Sequence, residues 1–222
     1  MPHFLRYWFG RFFLWMTGFE IEGPAPTAKS YVLIAAPHTT NWDLPVMLGL
    51  SYVFGIRLSF LAKHTLFKGP LDGFFRWLGG IPVDRRSRHN VVHQAVDVFN
   101  ENPDLVLAIS PEGTRKYTPY WKTGFYHIAK EAGVPIAMGY IDYARKRGGI
   151  GPLLYPTGYM RADMDRLRAF YAPIKGKHPE CYRAPRLKEE EDIPNLPPAA
   201  PAEPERDHGV PERSPFPAAL QG

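Results

Sequence analysis

From residue 31 to residue 171, short apolar runs alternate with longer amphipathic stretches. Tyr31–Ala36, Leu58–Leu61, Ile81–Val83, Leu105–Ile109, Pro135–Tyr143 and Ile150–Tyr155 are the short runs, and each predicts a strand. Trp42–Phe54, Leu71–Leu78, Arg88–Asn100, Thr123–Ala132 and Met160–Tyr171 predict helices. Arg88–Asn100 sets Val91, Val92, Ala95, Val96 and Phe99 on one side. Gly79 and Gly133 follow two of the helices, where a left-handed residue ends the last turn. Strands alternating with helices predict an α/β fold: a single domain with a mixed, largely parallel sheet covered by helices.

The two ends break this rhythm. Positions 4–19 read FLRYWFGRFFLWMTGF, eleven apolar residues with Arg6 and Arg11 set among them. A spanning helix needs about 20 largely apolar residues, and an arginine at mid-bilayer costs at least ~2.5 kcal/mol. The segment lacks a small-residue cleavage site of the signal-peptide type. Aromatic rings mixed with arginine suit an interfacial helix, with rings among the headgroups and guanidinium groups at phosphates. The plainer reading is a helix docked on the domain core. From Pro194 onward the chain holds eight prolines in 29 residues, and Phe216 is the one aromatic there. Such a stretch buries too little apolar area to offset the entropy of ordering. The expected division is a membrane-interface segment over 1–24, a folded domain over 25–178 and a Pro-rich disordered tail over 179–222.

Charge narrows the choice of partner. The 222 residues suit one domain plus a tail, and a 45% hydrophobic content builds an ordinary core. Cys181 is the sole cysteine, which excludes a disulfide framework and a zinc site built on several thiolates. Residues 179–222 carry nine acidic and five basic side chains, so residues 1–178 hold 22 basic against 13 acidic, a net +9. A basic body attracts a phosphate-bearing substrate, a membrane surface or nucleic acid. No known nucleic-acid-reading motif is present, so nucleic acid is not an expected partner. His89 and His93 stand four apart on a predicted helix but lack the Glu of a zincin, so no metal is expected.

Three clusters sit at predicted strand ends, where α/β sheets place their sites. Pro37-His38-Thr39-Thr40-Asn41-Trp42-Asp43 follows the first strand. Histidine is the commonest general base, and a carboxylate on its other ring nitrogen fixes tautomer and orientation. Five residues of ideal helix turn through about 140°, so His38 and Asp43 do not share a helix face. They meet if His38 lies in the turn and Asp43 in the early helix; the alternative is a loop histidine and a helix-terminal charge. The second cluster is Gly79-Gly80-Ile81-Pro82-Val83-Asp84-Arg85-Arg86, with Lys63 and Lys68 upstream. The third, Ser110-Pro111-Glu112-Gly113-Thr114-Arg115, makes either a phosphate cradle or an ordinary ion-paired turn.

Taken together, these clusters resemble the glycerolipid acyltransferase family, which includes bacterial 1-acylglycerol-3-phosphate acyltransferase. His38 and Asp43 match its His-x4-Asp motif. Gly80-Ile81-Pro82-Val83-Asp84-Arg85 looks like its second block, Pro111-Glu112-Gly113-Thr114-Arg115 matches its third, and Val134-Pro135-Ile136 its fourth. Arg168-Ala169-Phe170-Tyr171 and Gly176-Lys177-His178-Pro179 resemble the end of a compact bacterial branch. Ser110 stands where the family commonly has Phe.

The resemblance implies an O-acyltransferase of phospholipid biosynthesis. Its acyl donor is a thioester, acyl-CoA or acyl-ACP, used as co-substrate with no further cofactor. Its acceptor is a lysophospholipid. His38 takes the hydroxyl proton, Asp43 holds the imidazole, and no covalent acyl-enzyme forms. Lys63, Arg85 and Arg115 bind the acceptor phosphate, and Glu112, Gly113 and Thr114 belong to the same substrate-binding turn. The expected location is the cytoplasmic face of the inner or plasma membrane, as a peripheral, monotopic protein. A thioester hydrolase using the same pair on water and a non-catalytic lipid- or membrane-binding module are the rival readings.

Overall fold

The computed structural model describes residues 3–69, 71–84 and 88–191. Its elements run α1 (His3–Thr17), β1 (Glu20–Glu22), β2 (Tyr31–Ala35), α2 (Asp43–Phe54), β3 (Leu58–Lys63), α3 (Asp72–Trp77) and β4 (Gly80–Val83). They continue with α4 (Arg88–Glu101), β5 (Val106–Ile109), α5 (Gly124–Glu131), β6 (Ile136–Asp142), β7 (Arg147–Leu154) and α6 (Met160–Tyr171). The strands form one sheet in the order β1-β7-β6-β2-β5-β3-β4. Every neighbouring pair is parallel except β6 and β7. The chain is thus a single α/β domain with a mixed, mostly parallel sheet.

The alternation of side chains along β2 assigns the helices to faces. Val32 and Ile34 pack with Val92, Ala95 and Phe99 of α4, Phe125 and Ile128 of α5, and Met164, Leu167 and Tyr171 of α6. Tyr31 and Leu33 face the other way, toward Met47 of α2. Both faces are covered, and β2 reads as an unbroken apolar run for that reason.

Helix α1 lies on the outer side of α2. His3 abuts Gly55 and Gly10 abuts Gly49, so the two helices run in opposite directions. A Cβ on Gly10 would come within 2.7 Å of the Gly49 carbonyl oxygen, so glycine lets the backbones touch. Leu14 is buried against Val46 and Leu50. The outer side of α1 exposes Phe4, Leu5, Trp8, Phe9, Phe12, Trp15 and Met16, with Trp15 77% accessible. The inner side docks on the core while the outer side is free. None of the described helices is long and apolar enough to cross a membrane.

Several expectations need correction. β1 lies inside the segment assigned to the membrane interface; its three residues alternate Glu-Ile-Glu and carry almost no apolar signal. β7 begins at Arg147 rather than Ile150, because Gly148 and Gly149 pair with both β1 and β6 where side chains would not fit. β3 extends to Lys63 through its pairing with β4. Residues 179–191, counted with the tail, pack on the domain: Leu187 is fully buried and bridges Trp121, and Arg168 pairs with Glu190 at 2.9 Å. Acidic and proline residues around Leu187 hid that one anchor. The rest of the tail, including Pro194 and Phe216, lies outside the described residues.

The two sheet edges differ from the interior. β1 is short and carries Glu20 and Glu22, which face Arg147 and Arg145. β4 contains Pro82, which has no N–H to donate.

Leu187→Ala is expected to cost ~2–5 kcal/mol, the range for emptying a well-packed core site. Chemical denaturation checks this, and a loss under 1 kcal/mol would make 179–191 a dispensable appendage.

Candidate active site

Adjacent strands β2 and β5 send the chain in opposite directions. β2 leads through α2 on one face to β3, and β5 leads through α5 on the other face to β6. The connections diverge above the C-terminal strand ends and leave a crevice, the usual ligand position in open α/β sheets. The turn after β2 brings His38 there, and the turn after β5 brings Ser110–Arg115.

His38 Nδ1 lies 3.0 Å from Asp43 Oδ2. The same oxygen accepts the N–H groups of Thr39 at 2.9 Å and Thr40 at 3.0 Å. Asp43 is the first residue of α2 and is buried, so its carboxylate folds the preceding turn back onto the helix start. The other oxygen, Oδ1, accepts the Tyr143 hydroxyl at 2.8 Å. A carboxylate surrounded by donors makes Nδ1–H the donor of the His38 bond. In the neutral ring, Nε2 is then the acceptor.

A second carboxylate holds the backbone. Glu112 is buried; its Oε1 accepts the His38 N–H at 3.0 Å and its Oε2 accepts the Ser110 hydroxyl at 2.9 Å. Burial pushes the Glu112 carboxyl above its ordinary range, against the opposing pull of those bonds. Glu112 thus ties the β5 turn to the β2 turn. Gly113 has φ +66°, and the Lys122 side chain lies where a Cβ would stand. Lys122 is pinned beneath by its N–H bond to the Pro111 carbonyl at 2.8 Å. From behind, Gly176 packs on Thr39 and Pro37, and the His178 N–H donates to Thr39 Oγ1 at 3.2 Å.

Two cavities meet at His38. One, of about 330 Å³, runs between α2 and the sheet and is lined by apolar residues including Leu33, Met47, Leu50, Phe54 and Leu58. The other, of about 1230 Å³, opens on the α4–α5 side and carries Thr114, Lys116, Lys122, Thr123 and His127. Both are lined by His38, Phe60, Ala108, Ser110 and Arg115. Among the described residues, Lys122, Lys116 and Arg115 make no ion pair with a carboxylate, so three cations and one carboxylate, Glu131, line the polar space.

The sequence candidates divide accordingly. His38, Asp43, Glu112, Gly113, Thr114 and Arg115 gather at the crevice. Lys63 ends β3, is exposed and lines neither cavity. Arg85 lies outside the described residues. Tyr143, Thr39 and Lys122 join the site without a sequence signal of their own. Tyr143 is 100 residues from Asp43, and only its place at the end of an apolar strand hinted at it. Among the described residues no group of three metal-ligating side chains forms.

Comparison with known proteins gives a consistent picture. The family model described as Acyltransferase matches residues 18–141. The 1-acyl-sn-glycerol-3-phosphate acyltransferase of Haemophilus influenzae is 33% identical over 58% of this chain and 56% of its own length. The Escherichia coli protein of the same name is 32% identical over 54% and 51%. The human 1-acyl-sn-glycerol-3-phosphate acyltransferase beta is 32% identical over 58% and 49%. The chain therefore spans about half the length of the curated relatives it matches. The crystal structure of the 1-acyl-sn-glycerophosphate acyltransferase of Thermotoga maritima shares the fold, with TM-score 0.54 and 20% identity over 77% of this chain and 78% of that one.

Glu112 makes a pH-dependent contribution. Its folded-state pKa is raised, so it favours folding most below the unfolded pKa and progressively less as pH rises through the folded one. In Glu112→Gln the amide oxygen accepts from His38 and the NH₂ donates to Ser110. The melting temperature of Glu112→Gln relative to wild type is therefore expected to rise as pH increases from the ordinary carboxylate range upward. A thermal series checks this, and a difference independent of pH contradicts it.

Proposed function

The chain belongs to the acyltransferase family, and from that premise we propose that it moves a fatty acyl group from a thioester, acyl-CoA or acyl-ACP, to the hydroxyl of a lysophospholipid such as 1-acyl-glycerol-3-phosphate. The observation that carries this is the meeting of an apolar and a cation-lined cavity at one histidine held by a carboxylate. The acyl chain takes the apolar space beneath α2. The thioester carbonyl then lies beside His38. Nε2 accepts the hydroxyl proton as the oxygen attacks the carbonyl carbon. The tetrahedral intermediate collapses, the C–S bond breaks, and the thiolate takes the proton back from the imidazolium. Asp43 keeps the imidazole in the required tautomer and stabilises its charged form. Arg115 and Lys122 hold the acceptor phosphate on the polar side by charge-assisted hydrogen bonds.

The acceptor's own chain stays in the bilayer. The outer rings of α1, with Trp42 and Leu44 exposed at the start of α2, form the surface that meets it. Because α1 and α2 run antiparallel, Trp15, Met16, Trp42 and Leu44 lie at the end of the helix pair that also bears His38. The protein thus lies on one side of the membrane as a peripheral enzyme.

Purified protein with radiolabelled acyl thioester and a panel of lysolipids tests the reaction. His38→Ala is expected to lose at least ~10²–10⁴-fold in turnover, the usual contribution of general-base catalysis. A folded His38→Ala that keeps most of its activity removes His38 as base. Thioester cleavage without acylated lipid points to a hydrolase. Arg115→Ala should lower kcat/KM for the phosphate-bearing acceptor roughly 10- to 100-fold while the donor KM holds. Unchanged acceptor kinetics return Arg115 to the ordinary surface.

Membrane docking is best tested by point substitution, because Leu14 and Phe19 belong to the core and deletion of α1 would expose it. Trp8→Ser, Phe12→Ser and Trp15→Ser combined should abolish sedimentation with anionic vesicles while the melting temperature stays near wild type. Wild-type protein should be released only partly by high salt, since apolar insertion is not screened. Complete release by salt alone makes the contact purely electrostatic.

A further inference from the structure

We infer that Tyr143 is a positioning residue for the His38–Asp43 pair, its hydroxyl setting the plane of the Asp43 carboxylate. The inference rests on the proposed role of His38 as base. Asp43 Oδ2 receives His38 Nδ1 and two backbone N–H groups, all on one oxygen. A carboxylate held through one oxygen still swings about its last bond, because that torsion is broad. The Tyr143 hydroxyl bonds the second oxygen at 2.8 Å and closes that freedom. The lone pair that receives the imidazole N–H is then fixed in direction, and with it the direction of Nε2.

Tyr143 is itself held from three sides. Its N–H donates to the Lys175 carbonyl at 2.9 Å. Its ring stands edge-on to Phe19, 5.2 Å between centroids, just beyond the end of α1. Lys146 lies over both rings, 4.6 Å from the Phe19 centroid and 6.0 Å from that of Tyr143, and its ammonium donates to the Thr17 carbonyl at 3.3 Å. Burial and the bond to Asp43 both push the phenol's pKa up, so the hydroxyl stays a donor over the working pH range. Tyr143 lines neither cavity. A group placed behind the pair in this way acts on the chemical step and leaves substrate binding alone.

Tyr143→Phe keeps the ring and removes only the hydroxyl. Its kcat should fall roughly tenfold, the effect of one hydrogen bond to a charged group, while KM for donor and acceptor stays within twofold. In proton NMR, the downfield resonance of the His38 Nδ1–H should shift or broaden. Phe19→Leu, which keeps the hydroxyl and loosens the ring, should give an intermediate kcat with the same KM values. A kcat within twofold of wild type in folded Tyr143→Phe overturns the inference. So does a fall in kcat with the resonance unmoved, or, if Tyr143→Phe does not fold, a wild-type kcat in Phe19→Leu. His38→Ala run in parallel separates the two readings. If it stays active, the proposed mechanism fails; if it is inactive while Tyr143→Phe is normal, only the role of Tyr143 fails.

Discussion

The site depends on one buried carboxylate. Taking an ionised group out of water is costly unless its oxygens are occupied by donors. Asp43 meets that constraint with four: an imidazole, two backbone amides and a phenol. These come from the turn after β2 and the turn after β6, so satisfying one charge also fixes the relative position of two strand ends. Thr39 extends the chain of dependence, since it bonds Asp43 with its N–H and receives His178 on its hydroxyl. Glu112 repeats the device on the other side of His38 by joining the β5 turn to its backbone. The histidine is therefore fixed at both side chain and main chain.

Topology supplies the space around that fixed point. The reversal between β2 and β5 places α2 and α5 on opposite faces, and each helix roofs one cavity. Close contact between α1 and α2 through Gly10 and Gly49 backs the apolar cavity with a second layer. Among the described residues no such outer layer backs the cation-lined cavity, which is lined by the loop that carries Arg115 and Lys116. The chemical contrast between the two spaces follows from which helix covers each.

The sequence made the fold legible wherever hydrophobic pattern decided it. β2 and β6 are nearly or wholly buried runs, β5 is an apolar run with its first half buried, and α6 runs from Met160 to Tyr171 in both readings. Pattern was silent where pairing, rather than burial, makes the strand. β1 (Glu-Ile-Glu) and the start of β7 (Arg-Gly-Gly) offer one apolar residue, Ile21, between them, and they exist because they pair with each other and with β6. At the site, the spacing of His38 and Asp43 was readable only as two alternatives, a turn joined to an early helix or a loop histidine beside a helix-terminal charge, and the structure shows the first. Tyr143 was not readable, because its partner is set by tertiary structure 100 residues away. Leu187 was hidden for a different reason: a single apolar residue in a charged, proline-rich stretch has no periodicity to report, yet it fills a complete core position.

The two borders of the sheet have a consequence for life in a crowd. An open sheet offers unpaired backbone groups at its margins, and another chain can add a strand there. Here one margin is three residues long and bears two glutamates, and the other contains a proline with nothing to donate. Neither is a good template for strand addition. Where copies of this chain meet at high local concentration, these margins offer little for an added strand to pair with.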